Sequence, residues 1–181
     1  MRDDLTPFEV ADFWLKMFDD QESWAKVIDD FSARYIADDY VHLDLPYRIP
    51  AKVHGKQGFK DRYGPKAYAG LSNISSTYGP NDIFESKKGN ETTISLYYLF
   101  EAVHTGYYLG VPSTQKHLQA TGALFIHFRD GIIVMSRMVV DTFSLLLQLG
   151  KAALGQDNKS IITEYIGSLR NLGLLPAGDY S

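Results

Sequence analysis

Two residues in the segment between positions 40 and 45 have side chains that could move protons. Polar and apolar residues alternate there, and side chains of a strand point to opposite faces in turn. The alternation predicts that Tyr40, His42 and Asp44 share one face. An imidazole and a carboxylate on one face could form an acid/base pair. The alternative is an exposed polar face at the end of a strand.

His104 is a third residue that could carry protons. It ends the longest strand-like run, residues 91–104, and alternation predicts that it shares a face with Tyr98 and Phe100. An imidazole gains and loses a proton near neutral pH, so His104 would suit acid/base chemistry if this face lines a pocket. The alternative is a histidine that is held by a loop carbonyl at a strand end.

The sequence favours neither a metal nor a cofactor. His42 and Asp44 alone are too few ligands for a metal site. There is no zinc-type histidine spacing, glycine-rich phosphate loop or Ser-His-Asp pattern. The chain has no cysteine, which excludes disulfides, thiol nucleophiles and cysteine-bound metals.

Aromatic residues make up 13% of the chain and include 12 tyrosines. Such side chains can line a pocket for a flat, apolar ligand, or form an ordinary core in which the hydroxyls reach the surface. The residues that we expect to contact a ligand are Trp14, Tyr35, Tyr40, Tyr63, Tyr98, Phe100 and Met138.

Helices are predicted mainly at the two ends of the chain. Thr6 and Glu9 form a capping box around Pro7, which predicts a helix start. Apolar residues at helical spacing extend this helix to about position 18. The same spacing predicts helices over 22–35, over 55–69 with a break at Gly64-Pro65, over 141–150 after an Asp141 N-cap, and over 158–172.

Strands are predicted in the middle of the chain. Residues 46–50 read as a loop, and Asp130-Gly131 as a tight hairpin turn. Extended patterns cover 40–45, 74–84 with an interruption at Gly79-Pro80, 91–104, 118–128 and 132–140. Helices followed by a hairpin-rich sheet predict an α+β fold.

Length and composition predict one globular domain over 1–181. A net charge of −4 disfavours nucleic acids and anionic membranes as partners. No apolar run is long enough to span a membrane, and the N-terminus does not resemble a signal peptide. We therefore expect a cytoplasmic protein.

Several motifs resemble the SnoaL-like polyketide cyclases of the nuclear transport factor 2-like superfamily, over roughly residues 8–150. They are Phe-Arg-Asp-Gly-Ile-Ile-Val (128–134), the following Val-Val-Asp-Thr and Leu-Leu-Gln-Leu-Gly (146–150), His-Thr-Gly (104–106) with Gly-Val-Pro-Ser-Thr (110–114), and residues 35–44 with 55–59. The resemblance implies a cone-shaped, strongly curved, mixed or antiparallel sheet whose N-terminal helices close an apolar pocket. It also implies a cone-fold core at 6–150 that is followed by a helical extension at 151–181. A cofactor-independent enzyme that pairs through the outer sheet face is implied as well.

One position departs from this resemblance. Members of the family commonly carry a Glu-His-Trp-Asp-like segment in the last strand, where a carboxylate is the general acid/base. The corresponding residues here are Met-Ser-Arg-Met (135–138), so Met138 stands at the position of the carboxylate unless a one-residue bulge changes the register. Either another group supplies the base, or the pocket binds without reacting.

Three functions are therefore open. The first is a SnoaL-like acid/base enzyme of the cyclase, isomerase or lyase type for a small hydrophobic carbonyl compound, with His104, His42 and Asp44 as catalytic residues. The second is a non-catalytic binding module for such a ligand. The third is a dimerising domain whose pocket is vestigial.

A homodimer is expected on independent grounds. The strand over 91–104 has apolar side chains on both faces, and one core covers only one of them. The face of Tyr97 and Leu99 is the expected contact surface.

Overall fold

A computed structural model describes residues 5–19, 22–45, 53–109 and 111–153 of the chain. The predicted loop at 46–50 and the predicted helix at 158–172 lie outside the described residues. Within the described helices, none combines the length and hydrophobicity that a membrane crossing requires.

The helices follow the predicted pattern with small shifts of their ends. They are α1 (Pro7–Lys16), α2 (Trp24–Tyr35), α3 (Gly55–Tyr63), a 3₁₀ turn (Pro65–Tyr68) and α4 (Thr142–Ala153). The capping box is formed, since Glu9 N donates to Thr6 Oγ1 over 3.3 Å and Thr6 N donates to Glu9 Oε2 over 2.8 Å. The break at Gly64-Pro65 is present, because a residue before proline is driven out of the helical region. Helix α4 continues past Gly150, where the sequence predicted its end.

Seven strands form one open sheet. They are β1 (Ile36–Leu45), β2 (Val53–His54), β3 (Leu71–Thr77), β4 (Ile83–Lys88), β5 (Glu91–His104), β6 (His117–Arg129) and β7 (Ile132–Val140). Their order is β2-β1-β7-β6-β5-β3, and β4 also pairs with β5. Only β1 and β7 are parallel among these paired strands. The sheet is strongly curved and does not close, so the predicted α+β cone fold is confirmed.

The face of the sheet that points toward the helices, here called the inner face, carries the core. On β5 and β6 the buried side chains recur at every second residue, as the sequence predicted. Residues of α1, α2 and α3 complete the same cluster of buried hydrophobic side chains. Because one face of the sheet is covered in this way, the register of each strand decides which side chains enter the interior.

The hairpin of β6 and β7 sets the position of Met138. Asp130 and Gly131 both have positive φ, 51° and 77°, as a two-residue turn of type I′ requires. The only register shift in this hairpin lies between His127 and Phe128, close to the turn. It therefore precedes the Met-Ser-Arg-Met segment, and Met138 is on the inner face with 8% of its surface exposed.

Candidate functional site

A cavity of about 270 Å³ opens between the inner face of the sheet and the helices. Its wall comes from α1, the end of α3 and the turn after it, strands β3, β5 and β7, the loop after β5, and the start of α4. The wall residues are Leu15, Phe18, Arg62, Ala67, Tyr68, Ser76, Tyr98, Phe100, Tyr108, Leu109, Met138, Val140, Thr142 and Leu145.

The chemistry of this wall is apolar with a few donors. Among the wall residues just given, Arg62 is the one with a formal charge, and none is a carboxylate or a histidine. Three tyrosines, one serine and one threonine contribute hydroxyl groups. Such a wall can bind an apolar body and donate hydrogen bonds to oxygen atoms, but it has no ordinary general base.

Tyr108 is held over the cavity by a tight turn. Its N–H donates to the carbonyl of Val111 over 3.0 Å, and Val111 returns the bond over 2.9 Å. Burial raises the pKa of Tyr108 to about 12, nearby Tyr68 adds to the increase, and the Arg62 guanidinium opposes it. Tyr108 therefore keeps its proton at neutral pH and acts as a hydrogen-bond donor.

Tyr98 is placed by a glycine on the neighbouring strand. Tyr98 and Gly122 are directly opposite in register. A Cβ at Gly122 would lie 2.6 Å from Cζ of Tyr98 and 2.7 Å from its hydroxyl oxygen. The absence of a side chain at Gly122 therefore lets the Tyr98 ring lie across β6 and form part of the wall.

His42 belongs to a group of buried polar side chains that is separate from the cavity wall. Its Nδ1 is 2.7 Å from Ser136 Oγ, and the same oxygen is 2.6 Å from the hydroxyl of Tyr40. The Tyr63 hydroxyl lies 3.1 Å from Nδ1 and 3.3 Å from Nε2 of His42. These four side chains, the His42 cluster, are fully buried. The predicted alternative of an exposed polar face is therefore wrong for Tyr40 and His42.

The His42 cluster lies one side chain behind the cavity wall. The ring of Tyr63 is 6.4 Å from that of Phe18, and the guanidinium of Arg62 is 5.4 Å from the Tyr63 ring centroid. Phe18 and Arg62 are wall residues, whereas Tyr63 is not. The backbone of Asp44 lies directly opposite that of Met138 where β1 pairs with β7.

His104 is the last residue of β5, and its buried ring is held by the loop that follows the strand. The backbone N–H of Thr114 donates to Nδ1 of His104 over 3.2 Å, and Thr114 Oγ1 is 2.9 Å from the same atom. A neutral His104 ring therefore carries its proton on Nε2. That nitrogen is buried and has no partner among the described residues. His104 is outside the cavity wall, and its nearest wall neighbour by ring contact is Tyr108, at 6.5 Å between centroids.

The structure does not bring His42 and His104 together. Across the sheet, His42 pairs with Ser136, Ser136 with Ile126, and Ile126 with Ile94. His104 is ten residues further along β5 than Ile94, which is about 33 Å along a strand. The wall residues Tyr98 and Phe100 lie between these two levels on β5, and neither histidine is a wall residue.

The aromatic residues selected from the sequence separate into two groups. Tyr98, Phe100 and Met138 line the cavity. The others pack in the core: Trp14 contacts the rings of Phe31, Phe59 and Tyr63, and Tyr35 contacts Phe31. The rings of Tyr40 and Tyr63 each contact Phe59, and the hydroxyls of both belong to the His42 cluster.

Sequence reasoning missed Arg62, Tyr68 and Tyr108 as wall residues. Arg62 and Tyr68 flank the Gly64-Pro65 break, and Tyr108 follows the His-Thr-Gly motif of the loop after β5. The sequence signal that could have indicated Tyr108 is its position in the loop next to the predicted pocket strand. Among the described residues, no three His, Cys, Asp or Glu side chains come close enough to hold a metal ion.

Comparison with known sequences and with solved structures gave different results. No protein-family model matches the sequence, and no curated protein matches it either. Solved structures do match. A proposed polyketide cyclase from Acidithiobacillus ferrooxidans is 20% identical with a TM-score of 0.61, and the match covers 84% of this chain and 100% of that one.

Two further solved structures have a similar fold. A proposed SnoaL-like polyketide cyclase from Jannaschia sp. CCS1 is 13% identical with a TM-score of 0.58, covering 82% of this chain and 92% of that one. A protein with a ketosteroid isomerase-like fold from Catenulispora acidiphila is 16% identical with a TM-score of 0.54, covering 78% and 92%. The resemblance to the SnoaL-like cyclases is thus confirmed at the level of the fold.

Proposed function

We propose that this chain, which shares its fold with proteins named SnoaL-like polyketide cyclases, binds a small, mostly apolar carbonyl compound in the cavity. The observation that supports this most is the composition of the wall. Apolar and aromatic side chains make up most of it, while hydroxyl groups and one guanidinium supply donors for ligand oxygens. Donors without a neighbouring base favour binding over chemistry.

The size of the cavity limits the ligand. An apolar cavity of roughly 150 Å³ accommodates one benzene ring. The volume of about 270 Å³ therefore suits a compound of one or two rings. Aromatic ketones, lactones and small terpenoids are the compounds that combine this size with a carbonyl oxygen.

Binding can be tested without knowing the natural ligand. A thermal-shift screen of these three compound classes should give hits, whose affinities are then measured by calorimetry. Phe100→Ala removes apolar area from the wall and should weaken binding on the order of tenfold. Phe125→Ala, on the opposite face of the sheet, is the matched control and should leave the affinity unchanged. A screen without hits, or equal losses in both variants, would contradict the proposal.

Acid/base catalysis is the second candidate function. It is supported by the buried imidazole of His42, which Tyr63 links to the side chains of the cavity wall, and by Asp44, which is in register with Met138. His104, at the other end of the cavity, is the alternative proton carrier. Removal of a proton next to a carbonyl would give an enolate, the common intermediate of cyclisation, isomerisation and elimination.

Deuterium exchange separates an enzyme from a binding module. A ketone hit is incubated with the protein in D₂O, and loss of its α-proton signal is followed by NMR. If the wild type catalyses exchange, His104→Ala, His42→Gln and Asp44→Asn identify the proton carrier by a loss on the order of 10² to 10⁴ in rate. His127→Gln, on the opposite face, is the control. A bound ketone that shows no exchange in the wild type argues for the binding module.

We also propose a homodimer that forms through the outer face of the sheet. Tyr97 is 51% exposed there, and it pairs across the sheet with Ala123, which pairs with Val139. Light scattering at micromolar concentration should give about twice the chain mass of 20.4 kDa. Tyr97→Lys should give monomers, whereas Tyr107→Lys, in an exposed loop, should not. A monomer mass for the wild type would refute this assembly.

A further inference from the structure

Helix α4 has apolar side chains on two opposite sides. One side packs on the sheet, where Leu145 and Leu149 are buried, with 2% and 0% of their surfaces exposed. The amide of Gln148 holds the helix in this orientation. Its Nε2 donates to the carbonyl of Gln119 over 2.6 Å, and its Oε1 accepts from the Gln119 N–H over 2.9 Å. The buried side of α4 therefore faces β6.

The other side of α4, here called the Phe143 side, consists of Phe143, Leu146 and Leu147. Phe143 is 56% exposed, and the two leucines are half-buried. Among the described residues, neither leucine belongs to the buried core cluster or to the side chains that pack against it. Helices that are apolar on every side are normally covered on every side, because large apolar patches are unfavourable in water. The Phe143 side is therefore a surface that fits an apolar partner.

A segment of the same chain has a complementary surface. Residues 158–172, which lie outside the described residues, are predicted from sequence to form an amphipathic helix. Only residues 154–157 connect this predicted helix to Ala153, where α4 ends. A connection of about two to five residues normally joins two antiparallel neighbouring helices. The apolar stripe of the predicted helix consists of Ile161, Ile162, Tyr165, Ile166, Leu169 and Leu172.

The spacing of the apolar residues agrees with antiparallel packing. On the Phe143 side of α4, they follow one another at intervals of three residues and then one. In the predicted helix, the stripe from Tyr165 onward has intervals of one residue and then three, which is the same pattern in reverse. If the two helices are antiparallel, a single register therefore brings three apolar pairs together: Leu147 with Tyr165, Leu146 with Ile166, and Phe143 with Leu169.

We propose that residues 158–172 pack as an antiparallel helix on the Phe143 side of α4 in the same chain. The short connection after Ala153 favours this segment over a second copy, because it keeps the effective concentration of the segment near α4 in the millimolar range. Thr142 and Leu145 of α4 belong to the cavity wall, so the packed segment forms a second layer behind that part of the wall. The inference does not depend on which ligand the cavity binds.

An engineered disulfide can test this register, since the chain has no cysteine of its own. A disulfide requires two Cα atoms about 4.4 to 6.8 Å apart. The double variant Leu147→Cys with Tyr165→Cys should oxidise to an intramolecular cross-link in the full chain. Its matched control is Leu147→Cys with Glu164→Cys. Glu164 is next to Tyr165 but on the polar side of the predicted helix, so the control should cross-link on the order of tenfold more slowly.

Intact mass and migration on a non-reducing gel distinguish the outcomes. A cross-link within one chain, fast in the first pair and slow in the control, supports the proposal. Equal rates in the two pairs, or no cross-link in the first pair, would overturn it. A covalent dimer formed by the first pair would overturn it as well, because the Phe143 side would then be covered by a second copy.

A single substitution gives an independent measurement on the full chain. Ile166→Asp places a carboxylate in the apolar contact with α4, which is unfavourable, and should lower the melting temperature on the order of 5 °C. Asn171→Asp introduces the same side chain on the polar side of the predicted helix and should change the melting temperature by less than about 1 °C. If the cysteine variants do not fold, this pair decides the question. Equal melting temperatures for the two aspartate variants would refute the packing of the segment.

Discussion

The cavity and the His42 cluster are neighbours on the inner face of one sheet, but their chemistry is opposite. Ser136 and Met138 are two residues apart on β7, and the first belongs to the cluster while the second lines the cavity. The cluster is polar and fully buried, and its members hydrogen-bond one another. The cavity is apolar and accessible, and its polar groups are donors.

The difference follows from what covers each part of the sheet. Above Ser136, the aromatic side chains of α1 and α3 pack closely, with the rings of Trp14, Phe59 and Tyr63 about 5 Å apart. Above Met138 the cover consists of α4 and the loop after β5, which leave a space. The polar groups of the His42 cluster therefore hydrogen-bond within the core, whereas those of the cavity wall border the space.

Breaking the His42 cluster should have the largest effect on stability. Ser136→Ala removes the oxygen that contacts both His42 and Tyr40. Weaker hydrogen bonding of each of these buried groups costs about 1 to 3 kcal/mol. We expect the free energy of unfolding in urea to fall by about 2 to 4 kcal/mol. Met138→Leu, two residues away in the cavity wall, should cost less than about 1.5 kcal/mol. Equal losses in the two variants would show that the regions do not differ as described.

Crowding the cavity should have an intermediate effect and should act on binding as well. In Gly122→Ala the new methyl group meets the ring of Tyr98 at 2.6 Å, so the ring must move toward the cavity. We expect a loss of about 1 to 3 kcal/mol in stability and ketone binding weaker on the order of tenfold.

The control for this substitution is another glycine. A Cβ at Gly150, inside α4, has no atom within 4 Å, and alanine there should stabilise the protein by about 0.5 to 1 kcal/mol. Ketone affinity that is unchanged in Gly122→Ala would show that Tyr98 does not contact the ligand.

The fold was predictable from sequence wherever one periodicity extended over a long segment. Strand β5 has the bounds that alternation predicted, because burial on one face fixes every second residue. Strand β7 has the bounds that its β-branched run after the Asp130-Gly131 turn predicted. The start of β1 was missed by four residues. Asp38 and Asp39 are exposed at its beginning, and two adjacent acids read as the end of a helix rather than as a strand.

The site was predictable only where the strands form it. Tyr98, Phe100 and Met138 were found because strand alternation and family resemblance both indicated the inner face. Arg62 and Tyr108 come from a helix end and a loop, whose positions depend on tertiary packing that no local pattern records. The position of Tyr63 was not predictable for the same reason. Its spacing in α3 predicts a side chain that points inward. The ring of Phe18 and the side chain of Arg62 lie between Tyr63 and the cavity.

The smallest expected effect is on the pH dependence of stability, and it arises where α4 borders the cavity. Asp141 caps this helix, since its Oδ1 accepts from Ser144 N over 3.0 Å and its Oδ2 accepts from the Ser144 hydroxyl over 2.6 Å. These two hydrogen bonds lower the pKa of Asp141 below its ordinary 3.8. Because the folded-state pKa is the lower one, the contribution to stability is complete above pH 3.8 and is lost as the pH falls through the folded value.

An asparagine at this position separates the cap from its charge. Asparagine caps helices about as well as aspartate but does not titrate, so Asp141→Asn should lose less stability than the wild type below pH 4. Urea denaturation of both proteins between pH 2 and 6 measures the difference. Thr142 and Leu145 of α4 line the cavity, so the wild type should also lose its neutral ketone probe at a higher pH than the variant. If the free energy of unfolding falls equally below pH 4 in the two proteins, the charge of Asp141 does not stabilise the cavity side of the fold and is simply solvated.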